Sequence, residues 1–406
     1  MNNPQPGRTG PRGKTSLESA TGALLSDVFP LQGEETDSGA ASGRVLARSI
    51  ESPRPIPAFN RSAMDGFAVM STDIRHAPVN LALIGTSLPG APSSQSVSPG
   101  KAIRITTGAA VPSGADTVIP IELCDASQSS VLVRSPLPPG KHVIVSGEDF
   151  QKGQTVLQAG HRLRPHDLAV LSAMGVARVN VVRRPLVSIL VTGNELLPPF
   201  STPKDDRISD ANSPMLQALA SRDGALGKTW PGVADTERDV VSALRECAQS
   251  DVILVSGGSS VGQEDHVPAA VAKLGSLEVH GLALRPASPA GFGRLASGTR
   301  VILLPGNPVS CLCAYELLAG KYIRLLAGLS SDFPHALLRL PLASDLVSEI
   351  GRTDFARVRI SHGEVEPVAI SGAGRLSTVV QADGFVLIPP EIGSLNKGDE
   401  VVVRLF

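Results

Sequence analysis

The chain has 406 residues, 42% of them hydrophobic and 18% charged, with 37 Lys and Arg against 38 Asp and Glu. This composition describes a globular protein rather than a disordered one, and the length exceeds one ordinary core, so roughly two to four domains are expected. Near-neutral charge without a Lys/Arg cluster argues against general nucleic-acid or membrane-surface binding, and no apolar run reaches the roughly 18 residues of a membrane span.

In chain order, residues 1–14 are rich in Pro, Gly, Asn, Arg and Lys and lack an apolar core. They predict a disordered tail, not a secretory signal. Thr15–Val28 has helical spacing through Leu17, Leu24, Leu25 and Val28, and Gly43–Ser49 is a second short helical candidate. From Pro53 to about Gly147, short Val/Ile-rich runs alternate with Pro/Gly turns: Val79–Ile84, Lys101–Thr106, Thr117–Ile121, Val131–Val133 and His142–Val145. That rhythm predicts a β-rich domain over 53–147. Leu163–Gly175 returns to helical spacing, so the β-rich segment is expected to be inserted between 15–52 and 148–182, two parts of one helical linker domain.

Residues 183–330 have an α/β pattern. Three apolar runs, Leu186–Val191 (broken only by Ser188), Val252–Val255 and Val301–Leu304, each end in a glycine-bearing loop and lead into a helical stretch. Such strands read as buried on both faces, the appearance of a parallel sheet. Helices are expected over Ser213–Asp223, Thr236–Ser250, Val267–Leu274 and Pro308–Leu326. Residues 335–406 return to short strands (Arg357–Ile360, Glu366–Ile370, Gly384–Ile388, Glu400–Leu405) and fit a terminal β domain or small barrel. The four cysteines, Cys124, Cys247, Cys311 and Cys313, lack zinc-ligand spacing and are expected to be buried thiols of a cytoplasmic protein. Cys311 and Cys313, two apart on a helix, should face different ways.

Ligands of parallel sheets sit outside the carboxyl ends of the strands, where these loops must lie. Ser256–Gly262 follows an apolar strand and precedes a helix, the context of a phosphate-binding loop; Ser256, Gly257, Gly258, Ser259, Ser260 and Gly262 are the candidate contacts, beside the plainer reading of a tight turn. Glu264 and Asp265 suit the first turn of the next helix. Next to bound phosphate, a carboxylate there would also call for a bridging cation, and Asp265 is the candidate ligand. Glu195, at the first strand end, is either a second metal ligand or a turn cap. Pro305, Gly306, Asn307 and Pro308 form a turn by their own chemistry and a wall of the expected cleft. In the β-rich segment, Ser62 is a further binding candidate, Asp65 precedes Gly66 as a turn-former would, and Thr107 with Gly108 suits an oxyanion. Glu148 and Asp149 are adjacent and face opposite ways on a strand; Asp149 is the one expected to act. Arg285 offers a planar fork for an oxyanion within a Pro-restrained loop that also holds Ser288, and Arg357 is a weaker anion-binding candidate.

Six motifs occur in order: Asn60–Ala68, Ile105–Ala109, Gly147–Asp149, Thr192–Leu196, Ser256–Gly262 and Leu304–Ser310. Together they resemble the molybdopterin molybdenumtransferase family, which includes the E domain of the scaffold gephyrin, over about Thr15 to Phe406. The resemblance implies a homodimeric four-domain enzyme with a central molybdopterin-binding α/β domain. It implies adenylylated molybdopterin and molybdate as substrates, a divalent cation such as Mg2+, release of AMP, and contacts with the molybdopterin adenylyltransferase and with molybdoenzymes. In the family the cleft lies between the α/β domain of one subunit and the β-rich domain of the other. The resemblance makes Asp65 a contributor to the molybdate or metal site, and Asp265 matches a family acidic position; Asp65, Asp149 and Arg285 are the residues expected to be catalytic. Many members carry two lysines where Arg285 and Ser288 stand, and aspartate at Asn60. These exchanges leave a non-catalytic scaffold of the same fold as the alternative.

Overall fold

A computed structural model describes residues 13–258 and 266–406. They fall into two compact units. One comprises the N-terminal stretch to Glu34, Gly43–Ala47 and Val181–Phe406; the other comprises Glu35–Ser42 and Arg48–Asn180.

In the first unit a six-stranded sheet has the order Leu226–Thr229, Leu186–Val191, Val252–Ser256, Arg300–Leu304, Gly291–Leu295, Gly275–His280. The first four strands are parallel. Alternation along the central strand sends Val252 and Leu254 to one core and Ile253 and Val255 to the other, all fully buried. Helices Leu17–Leu25 and Asn212–Arg222 cover the first face, and Glu237–Glu246 and His266–Leu274 cover the second. This double cover is why the strands carry no polar face. The three runs read as parallel are parallel; the last two strands, which no apolar run announces, add to them as an antiparallel edge. Their glycines hide them from a search for apolar runs: a Cβ on Gly293 would lie 2.4 Å from Ser276 O, so the close strand approach requires its absence.

The helix expected over Pro308–Leu326 is continuous, with a π segment at Tyr315–Ala319. It is buried all round, so Cys311 and Cys313 share one core rather than diverging. Two buried carboxylates hold its middle: Arg222 Nη1 donates 2.6 Å to Glu316, and Tyr315 Oη and Arg324 Nη1 each lie 3.0 Å from Asp223. The predicted helix at Gly43–Ser49 is absent. Leu46 instead forms an antiparallel bridge with Val181, and Val182 N donates 2.8 Å to Val45 O.

The C-terminal strands follow the order Glu364–Ala369, Thr353–Ser361, Gly384–Ile388, Glu400–Leu405, Leu337–Pro341. A bridge between Leu342 and Val365 brings the two ends of this path together, as in a partly closed barrel. Leu284–Arg285 adds as a parallel strand beside Thr353 and Asp354.

The second unit is a mixed six-stranded sheet in the order Thr117–Pro120, Gly66–Val69, Lys101–Ile105, Val79–Ser87, Ser130–Val133, Cys124–Ala126. The buried strand Gly66–Val69, not among the predicted runs, pairs with Thr117–Pro120 on one side and Lys101–Ile105 on the other. The helix Pro165–Met174 belongs to this unit, whereas Leu17–Leu25 packs in the first. No helix among the described residues is long and apolar enough to cross a membrane.

Candidate functional site

Three parallel strands end side by side, and the loops that follow line a cleft of roughly 400 Å3. The cleft is built from Thr192–Leu196, Ile208–Asn212, Ser256–Gly258 and Pro305–Pro308, with Asp235 at its edge. Asn212 Nδ2 laces it together, donating 2.9 Å to Ser256 Oγ and 2.7 Å to Gly306 O. Asp210 Oδ1 holds Asn212 in turn, accepting from the amides of Asn212 at 2.9 Å and Ser213 at 3.0 Å. Ser256 Oγ donates 3.2 Å to Pro305 O and lies 3.7 Å from Cys311 Sγ. Complete burial pushes the Cys311 thiol up to about 12, so it is a packing group here and not a nucleophile.

The glycines let main chain meet main chain at the floor. Gly257 has φ +95°, and a Cβ there would lie 2.4 Å from Thr192 O. Gly258, at φ +56°, would meet Thr192 Oγ1 and Val267 at 2.9 Å. Thr192 Oγ1 and Asn212 Oδ1 are buried and have no hydrogen-bond partner among the described residues. Both belong to residues lining the cleft, and orphaned buried polar atoms of this kind suit a polar ligand.

Of the sequence-predicted residues, Ser256, Gly257, Gly258, Pro305, Gly306, Asn307, Pro308 and Glu195 are brought together here. The Ser256 hydroxyl is turned inward and buried, which makes it an organiser of the loops. Glu195 is exposed at the rim, its carboxylate lying over Gly193. Ser259, Ser260, Gly262, Glu264 and Asp265 lie outside the described residues.

A second pocket of roughly 520 Å3 shares Pro289, Pro305 and Asn307 with the first and is lined by Arg285, Ser288, Ser310, Arg352 and Lys14. The Arg285 fork is already engaged: Nε donates 2.8 Å to Asp354 Oδ1, and Nη2 donates to the other oxygen of this fully buried carboxylate. Ser348 Oγ adds 2.7 Å to the same group. The free fork expected from the sequence is therefore a structural ion pair, with the guanidinium one-quarter exposed. Arg357 departs further from expectation. It is fully buried and donates to the carbonyls of Phe355 and Ile370 at 3.3 Å and to that of Ser371, and desolvation holds its pKa below the usual value. It braces the strand leading into the pocket wall instead of meeting an anion. Lys14, in the stretch read as a disordered tail, is described, with Nζ donating to Ser288 Oγ.

In the β-rich unit, Asp65 Oδ1 accepts from Thr107 N at 2.7 Å and Thr107 Oγ1 at 2.8 Å. The backbone hydrogen bond, then the hydroxyl, hold its carboxyl below the ordinary value, so it is an exposed carboxylate. Ser62 is buried, its Oγ donating 2.6 Å to Met64 O, which removes it from ligand contact. Gly108 N donates 2.8 Å to Ser62 O. Asn60 Oδ1 accepts from Ser146 N at 2.8 Å and so ties two distant segments together, whereas Glu148 Oε2 accepts from Val145 N at 2.9 Å and closes a turn. Asp149 is exposed.

Sequence reasoning missed Thr192, Asp210, Asn212 and Lys14. Asp210 carried a signal, an Asx residue two positions before a helix start; Lys14 carried none.

Fold and cleft together define an α/β protein with a glycine-lined cleft at parallel strand ends and further β-rich parts. Family models cover nearly all of it: the MoeA N-terminal region, domains I and II, matches residues 15–175; a probable molybdopterin binding domain matches 188–324; and the MoeA C-terminal region, domain IV, matches 339–406. The chain is 31% identical to the molybdopterin molybdenumtransferase of Haemophilus influenzae, covering 96% of this chain and 98% of that one. It is 33% identical to molybdopterin molybdenumtransferase 2 of Mycobacterium tuberculosis, covering 89% and 92%. The solved structure of a molybdopterin biosynthesis MoeA protein from Pyrococcus horikoshii superposes with TM-score 0.85 at 32% identity, covering 97% of this chain and 99% of that one. The chain belongs to the MoeA, or molybdopterin molybdenumtransferase, family.

Proposed function

We propose that this chain is a molybdopterin molybdenumtransferase: it takes adenylylated molybdopterin and molybdate, cleaves the pyrophosphate linkage, releases AMP and leaves the metal on the dithiolene. The observation that carries the reading is the cleft at the three strand ends, where glycine main chain and orphaned polar atoms converge in a chain with family matches along nearly its whole length. The pyrophosphate sits at Gly258 and Gly306, where amides approach an anion without side-chain obstruction; Gly257, whose amide donates to Leu304 O, shapes the floor beneath it. Molybdate takes the adjoining pocket of Ser288, Ser310 and Arg352. Asp65 and Asp149 supply carboxylates for the chemistry, and the active form is a homodimer.

Among the described residues no cluster of three or more acidic, histidine or cysteine side chains has the spacing of a metal cage. The cleft does carry the single carboxylates of Glu195, Asp210 and Asp235, a hard-oxygen donor set. Mg2+ is commonly held by one or two carboxylates plus substrate phosphates, so these donors fit a cation that arrives with its ligand. Glu195 and Asp235 would hold it, Asp210 being committed to two amides; its chemistry there is neutralising charge on the phosphates.

The test is AMP release from adenylylated molybdopterin by the purified chain. The reading expects release that requires both molybdate and a divalent cation. Tight pterin binding without AMP release would instead identify a binding scaffold.

A further inference from the structure

Resting on that reading, we propose that Lys14 is an anion-binding residue of the second pocket, an N-terminal lysine that supplies the unpaired positive charge for a tetrahedral oxyanion beside Ser288.

The lysine is fixed in place. Thr15 N donates 3.1 Å to Gly281 O, Ala283 N donates 2.8 Å to Thr15 O, and Thr15 pairs in parallel with Leu282. One residue on, Ser16 caps the helix Leu17–Leu25 by accepting from Ser19 N at 3.1 Å, and Ala20 and Leu24 of that helix are fully buried. The backbone on one side of Lys14 is thus pinned to the pocket loop and followed at once by a packed helix.

The charges leave this ammonium uncompensated. The pocket is lined by three cations, Lys14, Arg285 and Arg352, and by Glu349. Arg285 pairs with the buried Asp354, and Arg352 with Glu349. Three cations less two carboxylates leave one positive unit, and it resides on Lys14, which has no ion-pair partner among the described residues. Its ammonium donates to the Ser288 hydroxyl, whose proton goes to Leu282 O at 3.3 Å. An ammonium has three donors, so two remain for an oxyanion. Ser288 therefore orients the ammonium, and Lys14 carries the charge.

Molybdate and a substrate phosphate share this tetrahedral chemistry, and the experiment separates them. Full-length wild type, K14Q, K14R and K14Q/S288K are compared for the half-saturating molybdate concentration in AMP release, for KM of adenylylated molybdopterin, and for molybdate and inorganic phosphate binding by calorimetry. K14Q is expected to raise the molybdate requirement about tenfold, with the rate at saturating molybdate within about twofold of wild type. K14R stays close to wild type. In K14Q/S288K a lysine in the loop itself recovers most of the loss, which a purely structural role for Lys14 would not allow. A rise in KM for the pterin nucleotide instead, restored in the same way, keeps Lys14 as the anion-binding residue and assigns its anion as phosphate. Unchanged parameters in K14Q, or a loss that S288K does not recover, overturn the proposal. A wild type that releases no AMP overturns the functional reading, and the calorimetric comparison of wild type with K14Q then decides Lys14 alone.

Discussion

Asn212 donates its side-chain amide to Ser256 Oγ at 2.9 Å, a buried contact between the start of one helix and the end of the central strand. The same nitrogen reaches Gly306 O at 2.7 Å, so one side chain sets the spacing of two loops that wall the cleft. Asn212→Asp keeps the volume but places an oxygen against the Gly306 carbonyl. Loss of the buried donor should cost about 1–3 kcal/mol of stability, read as a lowered urea midpoint, and AMP release should fall about tenfold or more.

Gly257→Ala should be damaging through the backbone. The residue sits at φ +95°, and the added methyl would lie 2.4 Å from Thr192 O. The expected cost is about 1–3 kcal/mol, with a disproportionate loss of pterin-nucleotide affinity because the loop amides shift. Calorimetric titration beside a thermal melt separates the two effects.

Arg285→Met should destabilise the protein before it affects chemistry. It strands Asp354, which is fully buried, without its bidentate partner, and breaking such a pair costs about 3–5 kcal/mol. Adding Asp354→Asn should recover much of the stability in a double-mutant cycle. Activity lost by the single variant and regained by the double would mark Arg285 as structural.

The Asp65–Thr107 tether carries a definite pH dependence. The folded pKa of Asp65 lies below the ordinary value, so its contribution is complete above about pH 4 and is lost as pH falls through the folded value. The Thr107 amide resonance should therefore hold its position down to about pH 4 and shift only below it. Asp65→Asn should abolish that titration while leaving the sheet intact, and should lower AMP release at neutral pH.

Much of the fold was legible because burial on both faces leaves an unmistakable trace: Leu186–Val191 and Val252–Val255 carry no polar alternation. The antiparallel edge was hidden, since Gly275, Gly291 and Gly293 make strands by close approach and not by apolar content. Loop chemistry placed Gly257, Gly306 and Asn307 at one cleft. It failed where a charge looked available but was already paired. Arg285 and Arg357 read alike as free arginines, and only packing revealed Asp354 opposite one and carbonyls around the other. Lys14 was illegible for the opposite reason, since its partner Ser288 is 274 residues away.

The most direct measurement is a crystal structure of the protein soaked with adenylylated molybdopterin. The account predicts the pyrophosphate within hydrogen-bond distance of the main-chain amides at Gly258 and Gly306, beside Gly257, whose own amide donates to Leu304 O. Density for the nucleotide at a site remote from these three strand ends would contradict it.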